Sequence, residues 1–336
     1  MKSVGLGTAG AAMSRTAWAK KAADHPPNIV LILADDLGYG DLACQNPDSK
    51  IPTVNLDRFA SQGVRFTDAH APTAVCSPTR YGILTGRYCW RSRLKNSVLW
   101  PWDPPLIEEG RLTLPGLLKQ HGYATACIGK WHLGWNWPFV KPADKSSDHA
   151  VPSDALDWSK PITGGPAAAG FDYYFGDDVP NFPPYVFIEN DRTLGVPSEQ
   201  KPKEMFGNPG PMSPGWKLEA VMPAITRKAV QWVEDTTKQT PDHPFFLYFP
   251  LTAPHTPIVP ADEFKGKSNA GEYGDYVVEV ERHQTRHVGR RPSRSLHGPV
   301  ARPYQAWNGQ RRSHLPDGSY GDPCGYGWRK AARKCR

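Results

Sequence analysis

The chain has 336 residues, 39% of them hydrophobic and 11% aromatic, which is enough to bury a sizeable core. No run approaches the roughly 18 to 20 apolar residues that a membrane span needs. Six cysteines without a C-x-x-C pair exclude a disulfide-dense scaffold and argue against structural zinc. The formal net charge of +7 hides a division. Residues 282–336 carry 13 Lys and Arg, 11 of them Arg, against two acids; residues 1–281 carry 27 bases against 31 acids, a net of −4.

The first 23 residues read as an export leader, with Lys2, a weakly apolar run from Val4 to Met13 and Ala17-Trp18-Ala19 placed like a cleavage site. The expected location is therefore periplasmic or secreted. The continuous β-branched run Asn28–Ala34 predicts a strand buried on both faces, ending in Asp35-Asp36. A helix is predicted over 55–62, with Asn55 as its cap and Leu56, Phe59 and Ala60 on one face, then a short strand over 64–67. Thr79–Thr85 reads as helical and stops at Gly86. A second short helix spans Leu114–Gln120, with Pro115 near its start and Gly122 past its end, and a strand follows over Tyr123–Ile128. Residues 136–220, rich in Pro, Gly and Trp, read as long loops shaping a cleft. Ala224–Lys238 is a predicted helix, Phe245–Phe249 a buried strand, and Gly274–Glu281 the start of another helix. Alternating strands and helices predict a mostly parallel sheet with helices on both faces. Ligands of such sheets sit beyond the carboxyl ends of the strands. The polar clusters after residues 34, 128 and 249 fall there.

Asp35 and Asp36 need an explanation, because adjacent carboxylates repel and burial raises that cost. A hard divalent cation relieves both penalties; a turn or helix cap is the plainer alternative. Cys76 opens a helical turn whose N–H groups favour an anion, Pro78 suits that first turn, and Arg80 lies one turn on. The segment reads as a nucleophile position with built-in anion stabilisation, a thiolate being the simplest form, or else as a capped, inert cysteine. Cys127 reads as a core thiol and Trp131 as packing. Asn181, Asp177 and Asp178 fall in a loop that faces the cleft.

Val75-Cys76-Ser77-Pro78-Thr79-Arg80-Tyr81-Gly82-Ile83-Leu84-Thr85-Gly86 resembles the sulfatase signature C-x-P-x-R with its following Thr-Gly. Gly122–Gly134, containing Gly129-Lys130-Trp131-His132, resembles the second signature, and Ala253-Pro254-His255 follows in the family's order. The likeness covers about residues 27–281. It is closest in character to bacterial arylsulfatases of the arylsulfatase A and N-acetylgalactosamine-6-sulfatase type. The resemblance implies an alkaline-phosphatase-like α/β fold and a sulfuric ester hydrolase. It also implies oxidation of Cys76 to formylglycine by a formylglycine-generating or anaerobic maturating enzyme. Asp35, Asp36 and residue 76 would ligate calcium, with magnesium the lesser choice. Arg80 would hold the hydrated aldehyde, Lys130 the sulfate, His132 the diol hydroxyl and His255 the leaving alcohol. The implied substrate is a sulfated carbohydrate or an aryl sulfate. A phosphonate or phosphate monoester hydrolase of the same superfamily is the alternative, and an inactive fragment a third.

The pattern departs after residue 281. The family continues into a strand ending in an Asp-Asn-Gly-like motif, and this sequence has no Asp-Asn pair. Residues 282–336 hold four Leu, Ile, Val or Phe among 55, too few to fold with that charge. The expected organisation is a leader (1–23), the N-terminal portion of a catalytic domain (24–281) with its C-terminal part missing, and a disordered Arg-rich tail (282–336). A frameshift near codon 281 is the working hypothesis, with DNA sequence across that codon as its test: an apolar strand followed by Asp-Asn in an alternative frame. A genuine basic tail for nucleic acid is disfavoured, since no aromatic interleaving or nucleic-acid fold accompanies the arginines. With half the metal shell absent, the chain is expected to have little or no sulfatase activity.

Overall fold

The computed structural model describes residues 26–146 and 148–285. The leader and nearly all of the Arg-rich tail lie outside these residues. The elements run β1 (Ile29–Asp35), α1 (Val54–Gln62), α2 (Cys76–Thr85), α3 (Leu114–Gln120), β2 (Ala124–Ile128) and β3 (Tyr173–Gly176). Then come the short strands β4 (Ile188–Glu189), β5 (Arg192–Thr193), β6 (Glu199–Gln200) and β7 (Pro211–Met212). The described chain closes with α4 (Val221–Gln239), β8 (Phe245–Pro254) and α5 (Gly271–Thr285). Six strands form one sheet in the order β1-β8-β2-β3-β4-β5. The first three pairings are parallel and the last two antiparallel. The expected α/β architecture is thus present.

β8 is the spine of this sheet, and all ten of its residues are buried. Its side chains alternate between two cores, as strand periodicity requires. Phe246 and Tyr248 join Tyr81 and Leu84 of α2, with Cys127, Phe171 and Tyr174. Phe245, Leu247, Phe249 and Leu251 join Met222, Ile225 and Ala229 of α4 and Tyr276 and Val280 of α5. Helices therefore cover both faces, and the ends of β1, β2, β3 and β8 open onto one edge.

Several local expectations are corrected. β1 is not buried on both faces. Its only partner among the described residues is β8, and Val30 stays 50% exposed. The cap of α1 is Thr53, whose hydroxyl meets the Asp57 carboxylate at 3.1 Å. Asn55 instead sits inside the helix and donates its N–H to Glu281 Oε1 on α5. Phe59 is exposed, so the α1 face assigned to the core is not covered at that position. Residues 64–67 form no strand, and Phe66 is 70% exposed. α2 begins at Cys76, three residues before the helical run read from Thr79, and ends at Gly86 in the left-handed region. Within 136–220, the strand Tyr173–Gly176 was hidden in what read as loop. α5 runs to Thr285, beyond the point where family character fades in the sequence.

Gly129 shows how closely the sheet edge is built. Its φ is 128°, and a Cβ there would lie 2.0 Å from the Pro250 carbonyl oxygen. That carbonyl accepts from Lys130 N at 2.9 Å, while Gly129 N donates to Phe175 at 2.8 Å. Gly129→Ala would force β8 away and displace Lys130. The expected cost is about 4 kcal/mol or more, read as a large fall in melting temperature and soluble yield.

Candidate functional site

Cys76 is the first residue of α2, with extended Val75 as its cap, so its side chain stands at the positive end of the helix. Ser77 Oγ accepts the Leu99 N–H at 3.1 Å and fixes the returning loop beside it. One turn on, Arg80 is fully buried. It donates to the Lys130 carbonyl at 2.9 Å and pairs with Asp35 Oδ2 at 3.5 Å. Lys130, on the bend after β2, is also fully buried. Its Nζ lies 2.5 Å from Asp35 Oδ2 and 3.3 Å from Cys76 Sγ. Asp35, closing β1, turns its other oxygen, Oδ1, to Cys76 Sγ at 3.5 Å.

Burial alone would raise the Asp35 carboxyl, but Lys130 and Arg80 hold it well below the usual carboxylate range. Burial would push Lys130 down, yet the Asp35 charge keeps its ammonium above the ordinary value. The Cys76 thiol is raised by burial, which the Lys130 charge only partly opposes. The unmodified side chain is therefore no ready thiolate, and the simplest reading of the residue is corrected.

His132 is buried and takes a left-handed backbone with φ 54°. Burial and the Lys130 charge hold its imidazole well below the ordinary value, so it is neutral. Nε2 lies 3.0 Å from the Leu99 carbonyl oxygen. A carbonyl only accepts, so Nε2 carries the hydrogen and Nδ1 is the basic atom. Nδ1 is buried and has no partner among the described residues. His255, just past β8, lies with Nδ1 2.6 Å from the Thr256 carbonyl and Nε2 3.7 Å from Asp36 Oδ2. Burial and Lys130 lower it as well. All seven residues singled out in the sequence thus converge on one sheet edge. Asp36 is the outlier in environment, being exposed and left-handed with φ 64°.

A divalent cation fits this donor set. Asp35, Cys76 and His255 bring ligand atoms within 4.8 Å of one another. Sγ there stands in for the oxygen that an oxidised, hydrated residue 76 would present. Asp35 Oδ2 is engaged by two cationic groups, which leaves Oδ1 directed to that place. Asp35 Oδ1 and an oxygen on residue 76 are hard donors of the kind a divalent cation such as calcium or magnesium takes, with the His255 imidazole nitrogen beside them.

A second acid pair was read in the sequence only as a cleft loop. Asp177 and Asp178 follow β3 and are both buried. Asp178 Oδ1 accepts from His132 N at 2.9 Å and from Trp135 Nε1 at 3.0 Å. It thereby clamps the strained His132 backbone. Asp177 has no hydrogen-bond partner at either oxygen among the described residues, and burial with the Asp178 charge pushes it up to about 7. Asp178 is raised by burial to about 6. The signal for this pair was the Asp-Asp at a strand end, the same pattern as Asp35-Asp36. Trp131 and Cys127 are buried packing residues, as expected.

A family model described as Sulfatase matches residues 27–285. The chain belongs to the sulfatase family. Among curated sulfatases, it is 33% identical over 298 residues to the N-acetylgalactosamine-6-O-sulfatase of Bacteroides thetaiotaomicron, covering 76% of this chain and 53% of that protein. It is 32% identical over 267 residues to the human N-acetylgalactosamine-6-sulfatase, covering 77% and 45%. Human arylsulfatase A is 31% identical over 274 residues, covering 77% and 47%. The chain spans about half the length of these relatives. A solved Bacteroides thetaiotaomicron structure, described with the metabolism of multiple glycosaminoglycans, superposes with a TM-score of 0.64 at 29% identity, covering 78% of this chain and 59% of that one. A Pseudoalteromonas sulfatase shares the fold with a TM-score of 0.56 at 23% identity, covering 78% and 51%.

Two outcomes test the second acid pair of this sulfatase chain. Asp178→Ala removes the acceptor of two buried hydrogen bonds and should cost about 2–4 kcal/mol. Asp178→Asn keeps a carbonyl oxygen for both donors and should recover most of that in thermal denaturation. For Asp177, the folded pKa of about 7 lies above the ordinary 3.8. The folded state holds the proton more tightly, so wild-type stability declines as pH rises from about 4 to about 7 and then levels. Asp177→Asn lacks that decline, so its melting temperature should gain on wild type more at pH 8 than at pH 4.5. An equal difference at both would contradict the assignment.

Proposed function

We propose that this chain's site hydrolyses sulfate esters, with residue 76 acting as formylglycine. The observation that carries the reading is Cys76 at the start of α2 within C-x-P-x-R, 3.3 Å from Lys130 Nζ and 3.5 Å from Asp35 Oδ1. Hydration of the aldehyde gives a gem-diol. One hydroxyl attacks sulfur, the S–O bond to the alcohol breaks, and the alcohol leaves with a proton. The remaining hydroxyl then loses its proton, the C–O bond to the sulfate breaks, and sulfate departs as the aldehyde re-forms. An ordinary serine ester has no second hydroxyl and cannot release sulfate this way.

The residues divide this work. His132 Nδ1, with its hydrogen on Nε2, is the base for a diol hydroxyl. Lys130 places its ammonium on the sulfate and leaving oxygens. Arg80 fixes Lys130 through its carbonyl and balances Asp35. With Nδ1 donating to the Thr256 carbonyl, His255 Nε2 is the atom that would take up a proton once anionic sulfate binds and pass it to the leaving alcohol. Asp35 and Asp36 would hold calcium with residue 76, where a cation supplies charge stabilisation for sulfate oxygens. The substrate class, by analogy with the relatives, is a sulfated carbohydrate. Maturation requires an enzyme that oxidises Cys76, and the leader-like start points to export.

The test is the chain co-expressed with a formylglycine-generating enzyme. Mass spectrometry of the Cys76 peptide should show the thiol replaced by an aldehyde. Turnover by this chain, which spans about half the length of its relatives, should be slight. What there is should be greater on 4-nitrophenyl sulfate than on a phosphonate monoester, and Cys76→Ala should abolish both. An aldehyde-bearing chain that cleaves the phosphonate and spares the sulfate would overturn the reading.

A further inference from the structure

The segment after α2 enters the chemistry above only through the Leu99 main chain. It leaves Gly86 at the far end of α2, about 15 Å from Cys76, and returns along the helix to the site. Its return is fixed at Leu99, whose N–H reaches Ser77 Oγ and whose carbonyl meets His132 Nε2. Residues 86–102 contain four cations, Arg87, Arg91, Arg93 and Lys95, and no acid. That charge stands on a body whose residues 1–281 carry a net of −4.

The segment also exposes aromatic rings. Tyr88 and Trp90 are 55% and 54% exposed and stack with ring centroids 6.0 Å apart. The Arg91 guanidinium lies over Trp90 at 5.2 Å. At the other end Trp100, 42% exposed, stacks on Phe182 at 5.8 Å, and Phe182 abuts the His132 ring edge-on at 5.6 Å. The backbone between is tied down. Ser92 Oγ donates to the Cys89 carbonyl at 2.7 Å and accepts from Leu94 N at 3.2 Å. Arg93 reaches the Pro104 carbonyl, and Lys95 Nζ donates to that of Trp90 at 2.9 Å. Arg91, Arg93 and Lys95 remain exposed.

Arg87 is paired with Glu108 at 2.8 Å, whereas Arg91, Arg93 and Lys95 meet no carboxylate among the described residues. Exposed apolar rings rimmed by such cations mark an interaction surface. Ring faces accept the apolar face of a sugar, and guanidinium groups hydrogen-bond sulfate oxygens with charge assistance. A rigid loop presenting both limits the entropy lost on binding. We propose that residues 86–102 form a binding surface for a sulfated polysaccharide, holding the chain along α2 while one of its sulfate esters enters the site. The choice of a sulfated sugar chain over other polyanions rests on the sulfate-ester reading, and the surface leads to that site through Trp100.

The test is hydrogen–deuterium exchange of the full chain with a chondroitin 6-sulfate hexasaccharide, its desulfated counterpart and a single-stranded oligonucleotide. The sulfated hexasaccharide should slow exchange several-fold in peptides from 86–102. That protection should vanish in an Arg91→Ala, Arg93→Ala, Lys95→Ala triple variant and weaken in Trp90→Ala, with β8 exchange unchanged in both. Protection confined to residues 282–336 overturns the proposal. So does equal protection by the desulfated sugar or the oligonucleotide, or protection retained in the triple variant. Binding needs no turnover. An inactive chain that still shows protection at 86–102 would leave the surface standing and count only against the hydrolytic reading.

Discussion

The contact between Lys130 Nζ and Asp35 Oδ2 is the constraint on which the site depends. Moving either charge out of water alone would cost several kcal/mol, and together with Arg80 they form a compensated buried group. The group joins three distant stretches of chain: the end of β1, the first turns of α2 and the bend after β2. It also decides which side of Asp35 is available. With Oδ2 taken by cations, Oδ1 is turned to residue 76. The same Lys130 is shared with Cys76, so the residue that neutralises the carboxylate also supplies positive charge beside the residue 76 side chain.

A second tier stands behind the first. His132 has a backbone conformation that costs energy for a residue with a Cβ, and the Asp178 carboxylate meets its N–H. The imidazole is then oriented by the Leu99 carbonyl, which leaves the basic nitrogen without a competing partner. The Asp177 carboxylate plays no such part and accepts no hydrogen bond from the described residues; only its main-chain carbonyl accepts, from the Tyr174 hydroxyl at 2.9 Å. Two neighbouring acids at one strand end thus differ in what their oxygens meet.

Much of this was legible in the sequence because the chemistry is concentrated in short, contiguous patterns. Cys76 and Arg80 are one helical turn apart, and Lys130 and His132 share one bend after a strand. What could not be read was exposure, which depends on neighbours distant in the chain. Asn28–Ala34 has the composition of a central strand, yet β1 has one neighbour among the described residues and leaves Val30 in water. Phe59 fits an apolar helix face and is nonetheless exposed. The role of Asp178 was equally hidden, since its partners are a main-chain N–H and an indole set by the path of the chain. Leu99 contributes only backbone groups and carries no side-chain signal.

The placement of β8 between β1 and β2 also orders events in time. β1 and β2 make no bond to each other and are joined only through a strand that emerges more than 100 residues after β2. On a ribosome adding about 5–20 residues per second, roughly ten seconds or more pass between the appearance of Cys76 and that of the strand that closes the sheet. Throughout that interval the thiol lies on a peptide whose pocket has no floor. Any enzyme that must grip the Cys76 segment in extended form finds it open then, before the folded chain buries Ser77, Pro78 and Arg80 around it.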